Sequence, residues 1–162
     1  MCLQCSLIAL LLVAVANGAP VMAGYLLKRR FACPVDAGVH AADGRPLFGR
    51  SKTWRGLLAA LGCSAVFASA LNVSAALGMV FAAWAMAGDL LASFCKRRLG
   101  KTESSQARGF DTVPESLLPA WLLSDELSLG AWDVAAVVVA FFLMEEFLSP
   151  LLYKWHIRRR PY

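Results

Sequence analysis

From Val73 to Phe94 the chain carries a single charged side chain, Asp89. A helix of that length, rising 1.5 Å per residue, covers the roughly 30 Å hydrocarbon core of a bilayer. The stretch then ends in a basic cluster, Lys96-Arg97-Arg98. On a helix, Asp89, Ser93 and Lys96 follow i, i+4, i+7 spacing and share one face. A carboxylate therefore enters an apolar helix about two turns before cations leave it. A bare membrane anchor gains nothing from that carboxylate, because an ionisable group inside a membrane is costly. A metal-binding carboxylate beside phosphate-binding cations explains the pattern.

The rest of the chain fits a membrane setting. Its 162 residues are 59% hydrophobic, against about 45–50% in a soluble domain, and the mean hydropathy is +0.58. Apolar segments run from Ser6 to Leu27, Leu57 (or Trp54) to Leu71, Val73 to Phe94 and Ala131 to Tyr153. A weaker one, Pro114 to Leu127, holds two prolines and an acidic end. Trp132, Tyr153 and Trp155 flank the last segment as an aromatic belt would.

Charge decides the weak case. Seven cations follow the first segment, five follow the third and four sit in the tail, which accounts for all sixteen Lys and Arg. With five spans every one of them faces one side, the cytoplasm by the positive-inside bias. The expected fold is an all-α, polytopic membrane protein of about five transmembrane helices, with the amino terminus out and the carboxyl terminus in. Residues 1–162 form one integral-membrane domain. No basic residue precedes the first apolar core, so that segment reads as a retained span, not a cleaved signal. The net charge of +5 reflects the cytoplasmic loops and contact with anionic headgroups; short loops pinned to a bilayer are poor nucleic-acid binders. The five cysteines read as packing residues, since Cys2-x-x-Cys5 has no second pair or histidine cluster to complete a zinc site. His40 and His156 receive no role.

Three constellations lie on the basic side. Pro46-Leu47-Phe48-Gly49-Arg50-Ser51-Lys52-Thr53-Trp54-Arg55-Gly56 packs cations, hydroxyls and glycines just ahead of a helix, a plausible phosphate-binding arrangement or a basic anchor. Gly88 to Gly100 is the second; its bland reading has Asp89 neutralising Lys96 or Arg97. Arg108-Gly109-Phe110-Asp111-Thr112-Val113-Pro114-Glu115-Ser116 places Asp111 and Glu115 at i, i+4 as a helix begins, which ordinary helix-start preference also explains. Between these, Thr102–Gln106 is polar and reads as a mobile loop. Asn17-Gly18-Ala19-Pro20 is expected to break or bend the first helix, and Glu145 and Glu146 to place at least one carboxylate inside the bundle. The roles of Glu115, Glu145 and Glu146 stay open.

Gly88-Asp89-Leu90 with Ser93 and Lys96-Arg97 resembles the signature of the lipid cytidylyltransferases of the CDP-diacylglycerol synthase superfamily. The Pro46–Gly56 segment and Gly109-Phe110-Asp111 narrow the resemblance to the CDP-archaeol synthase group, over Asn17 to about Pro119. The resemblance implies transfer of CMP from CTP to a membrane lipid phosphate, archaetidate-like or phosphatidate-like, giving a CDP-lipid and pyrophosphate with Mg2+. It implies Asp89 and Asp111 as metal ligands, Lys96 and Arg97 as phosphate-neutralising catalytic residues, and Arg50, Ser51, Lys52, Arg55, Ser93 and Asn17 as substrate-binding residues. It places the enzyme in the cell membrane with the site facing the cytoplasm. A CTP-dependent polyprenol kinase and a non-catalytic lipid-phosphate scaffold are the competing readings. The lipid chains, and a monomer or a homodimer, are left open.

Overall fold

The computed structural model describes residues 2–101 and 109–154, with the side chains of residues 149–153 excepted. The Thr102–Gln106 segment, Arg108, Trp155, His156 and the tail arginines Arg158, Arg159 and Arg160 lie outside the described residues. Five helices follow one another: α1 (Leu3–Leu27), α2 (Trp54–Ala70), α3 (Ala75–Arg98), α4 (Thr112–Leu122) and α5 (Ala131–Lys154). Each arises from one apolar segment, since a chain in hydrocarbon must satisfy its own backbone. Helices α1 and α3 are long and apolar enough to cross a membrane. Helix α5 is equally long but carries Asp133, Glu145 and Glu146.

Helix α1 runs through Gly18 and Pro20 without a break, so of the break or bend expected there the break is absent. Proline removes only one backbone donor. A methyl group on Gly56 would come within 3.2 Å of the Pro20 side chain, so α2 closely buttresses that turn. Asn17 stays within the helix, its Nδ2 donating to the Val13 carbonyl at 3.1 Å.

The Pro114–Leu127 segment also differs from expectation. It is α-helical only from Thr112 to Leu122, 11 residues and about 16 Å. Ser124 ends it by donating its hydroxyl to the Trp121 carbonyl at 2.8 Å, the local competition that short polar side chains offer a helix. Turns then carry the chain on, with Leu123, Leu127 and Leu129 buried in the core beside Ala9, Leu12 and Val134.

Two polar ties link α5 to the rest of the bundle. Asp133, at the start of α5, accepts from the Cys2 N–H at 3.0 Å and the Ser6 hydroxyl at 2.8 Å, so α1 and α5 begin side by side. Further along, Thr112 donates to Glu145 of α5 at 2.9 Å. The chain from Thr112 to Asp133 thus covers about 18 Å of the length of α5.

Of the five cysteines expected as packing residues, only Cys95 is a half-buried free thiol. Cys2 and Cys5 form a disulfide at the head of α1, where the first helical turn brings their Cα atoms to 5.2 Å, inside the usual range. Cys33 and Cys63 are exposed free thiols.

Candidate active site

The loop from Lys28 to Thr53 is built around Asp36. This carboxylate is buried and accepts three backbone N–H groups: Gly38 at 3.1 Å, Phe48 at 3.0 Å and Gly49 at 2.9 Å. Burial alone would raise its pKa, but these donors overrule it and hold Asp36 below the ordinary 3.8. The N–H of Gly49 therefore faces an internal anion. Gly49 itself needs its glycine, with φ at +96°. An antiparallel bridge joins Pro34 to Thr53, and the Val35 N–H donates to the Lys52 carbonyl at 2.9 Å. Lys52 is thereby held one residue before the Thr53 cap of α2.

The loop is clasped to the end of α3 by two arginines. Arg45 Nη1 donates to the carbonyls of Arg97 at 3.3 Å and Arg98 at 2.7 Å, capping α3. Arg98 returns the contact to the carbonyls of Arg45 at 3.2 Å and Pro46 at 2.7 Å, and pairs with Asp43. Asp43 sits below its ordinary pKa, chiefly through the Arg45 backbone N–H and also through Arg98.

This frame delivers Lys52 to Asp89. The Lys52 ammonium sits 2.6 and 2.5 Å from the two carboxylate oxygens. Burial opposes its charge, but Asp89 more than compensates, and the Lys52 pKa lies above its ordinary 10.5. The local Asp89–Lys96 or Asp89–Arg97 pairing offered as the bland reading is replaced by this long-range pair. Lys96 instead meets Asp111, Nζ to Oδ1 at 2.7 Å.

Helix α4 closes the site. Gly88 is buried against its first turn; a side chain there would overlap the Pro114 carbonyl and the Glu115 backbone. This contact sets Asp111 and Glu115 beside Asp89. Glu115 is 5% exposed and within electrostatic reach of Asp89, Glu145, Lys52 and Asp111. Glu145 completes the group through Thr112.

The sequence-predicted residues fall into distinct places. Asp89, Asp111, Lys52 and Lys96 come together. Ser93 and Arg97 are buried on the same stretch of α3. Arg97 Nη1 donates to the Lys101 carbonyl at 2.7 Å, while its buried Nε has no hydrogen-bond partner among the described residues. Arg55 Nη1 donates to the carbonyls of Lys28 at 3.1 Å and Arg30 at 2.7 Å, and its Nε is likewise buried without a partner among the described residues. Arg50 and Ser51 are exposed on the loop. Asn17 is occupied within α1. Sequence reasoning missed Asp36, Arg45 and Arg98. An Asp two residues before a Gly in a turn-rich loop was the available signal for Asp36; nothing local marks the other two.

Among the described residues, no three His, Cys, Asp or Glu side chains converge to hold a metal by themselves. The hard oxygen donors of Asp89 and Asp111 suit the other common arrangement, in which magnesium takes one or two carboxylates and completes its shell with substrate phosphates and water. Buried N–H groups without partners, as on Arg55 and Arg97, suit anionic oxygens.

Comparison with known proteins gives one answer. The family model described as "CarS-like: CDP-archaeol synthase" matches residues 3–158. A CDP-archaeol synthase from Hyperthermus butylicus is 38% identical over 115 residues, 67% of this chain and 65% of that protein. One from Methanosphaerula palustris is 34% identical over 138 residues, 75% of this chain and 80% of that protein. The solved structure of an intramembrane enzyme for archaeal membrane lipid biosynthesis superposes with a TM-score of 0.72 at 31% identity, covering 86% of this chain and 89% of that one. The chain belongs to the CDP-archaeol synthase family.

Proposed function

We propose that this protein is a membrane-embedded CTP:lipid-phosphate cytidylyltransferase. A phosphate oxygen of an archaetidate-like lipid attacks the α-phosphorus of CTP. The bond from that phosphorus to the bridging oxygen breaks, and pyrophosphate leaves. The observation that carries this reading is the meeting of Asp89, Lys52, Lys96 and Asp111 at the end of α3, in a chain that matches the family model over nearly its whole length.

The protein's part is positioning and charge neutralisation. Asp89 and Asp111 would hold magnesium, which would neutralise phosphate charge and polarise the phosphoryl oxygens. Lys96 and Arg97 stabilise the charge that develops on the departing pyrophosphate. Lys52 and Arg55 grip the triphosphate, with Arg50 and Ser51 at the loop surface and Ser93 supporting a phosphate oxygen or the metal. Asn17 is left with its side-chain oxygen for substrate, since its Nδ2 is occupied within α1.

The topology that suits this chemistry has five crossings, the amino terminus outside and the site at the cytoplasmic face. Three observations support it. The clasped loop brings its cations to the end of α3. Asp133 ties the start of α5 to the start of α1. The chain from Thr112 to Asp133 runs back along α5, α4 and its following turns sharing the distance, which suits the return crossing this topology needs.

The deciding experiment uses purified protein, magnesium, labelled CTP and a panel of lipid phosphates, with products read by mass spectrometry. A CDP-lipid and pyrophosphate support the reading. CDP with a newly phosphorylated lipid would mean a kinase, and no turnover of any lipid would leave a binding scaffold.

A further inference from the structure

The two carboxylates assigned to the metal are both covered by lysines. Lys52 spans both oxygens of Asp89, at 2.6 and 2.5 Å. Lys96 sits at 2.7 Å from Asp111 Oδ1. Neither ammonium is a loose surface charge: the Lys52 and Lys96 side chains are 24% and 10% exposed. A bare divalent cation entering here has to displace a partly buried ammonium from its carboxylate, and breaking a partly buried, hydrogen-bonded ion pair is unfavourable.

A triphosphate changes that balance. Its oxygens accept the same ammonium groups in charge-assisted bonds of similar strength. The carboxylates are then released to a metal ion arriving on the same phosphates. The exchange keeps every charge paired at each end. The side chains that must move are lysines, with flexible stems and three donors each. The surrounding frame does not need to move, because Arg45 and Arg98 bind main-chain carbonyls.

We propose that Lys52 and Lys96 act as exchangeable stand-ins for the metal ion, so that the site refuses a bare divalent cation and accepts one only together with a nucleoside triphosphate. This rests on the reading of Asp89 and Asp111 as carboxylates of a nucleotide–metal site. It adds an obligatory coupling between the two ligands and names the residues that enforce it.

Binding of Mn2+ to the full-length, detergent-purified protein tests it, followed by the electron paramagnetic resonance signal of free Mn2+. Affinities are corrected for the Mn2+–CTP complex that forms in free solution. Wild-type protein should bind Mn2+ alone weakly and about tenfold or more tightly once CTP is present, a coupling of ordinary allosteric size. Lys52→Met and Lys96→Met should each tighten binding of Mn2+ alone by about tenfold and weaken that of CTP alone, so the coupling shrinks. Lys52→Arg, which keeps the charge, should keep bare Mn2+ out. Equal wild-type affinity for Mn2+ with and without CTP overturns the proposal, and that measurement needs no variant to fold. So does unchanged Mn2+ affinity in both methionine variants. If wild-type protein binds Mn2+ and CTP in no combination, the nucleotide–metal reading itself falls along with the lysine exchange.

Discussion

Gly88 of α3 and Pro114 of α4 meet backbone to backbone, with no room for a side chain between them. The contact lies next to Asp89 and holds the first turn of α4, hence Asp111 and Glu115, against this part of α3. Gly88→Ala should therefore force the helices apart. Overpacking of this kind costs about 1–3 kcal/mol. The expected result is a lower melting temperature in detergent and a larger fall in turnover, since the two carboxylates are displaced together. Wild-type turnover in Gly88→Ala would show that the close approach does not set the site.

Asp89→Asn and Asp111→Asn keep side-chain shape and remove charge. Each should lower turnover by at least about 100-fold, the scale of losing one preorganised electrostatic group. Both variants should still insert and purify. Initial rates with saturating CTP check this, and normal rates in either would remove that residue from the metal site.

Chelation should abolish turnover, and added Mg2+ should restore it. The measurement is CDP-lipid formation before and after excess EDTA, then after repletion. Activity that persists through chelation rules out the magnesium assignment.

Asp36 should behave as the loop's internal anchor. Asp36→Ala leaves the N–H groups of Gly38, Phe48 and Gly49 without their acceptor, at about 1–3 kcal/mol for each one that water does not reach. Lys52 would lose its fixed placement, so KM for CTP should rise several-fold, with a smaller shift in melting temperature because the helices remain packed. The pH dependence has a definite sign. The folded pKa of Asp36 lies below its ordinary 3.8. Its stabilisation is complete above the unfolded value and is lost as pH falls through the lowered folded value. The protection factors of the Phe48 and Gly49 amides, exchange rates divided by the intrinsic rate at each pH, should fall over that acidic window and stay level between there and neutrality.

Much of the architecture was legible because membrane helices declare themselves by length and hydrophobicity. Segments around α1, α3 and α5 needed no partner to be identified. The tail of α4 did, since the buried turns at Leu127 and Leu129 are apolar like a helix and differ only in backbone path. Asp89 was visible for the opposite reason: one charge in an apolar run is conspicuous. Its partner was not. Helical spacing pointed to Lys96 on the same face, whereas the bond is made by Lys52 across a loop whose shape depends on Asp36. Spacing reports neighbours within an element and is blind to what a folded loop brings back.

The Arg45–Arg98 clasp bears on how such a site can be inherited or transplanted. Each arginine caps backbone that belongs to the other's segment, so neither the loop nor the helix end is a self-contained module. A graft of residues 34–53 onto a foreign helix would arrive without the carbonyls that shape it. Insertions should be poorly tolerated between Asp43 and Pro46, even though this stretch lies at the surface. Here the unit of exchange between proteins is the loop together with the last turn of the helix beneath it.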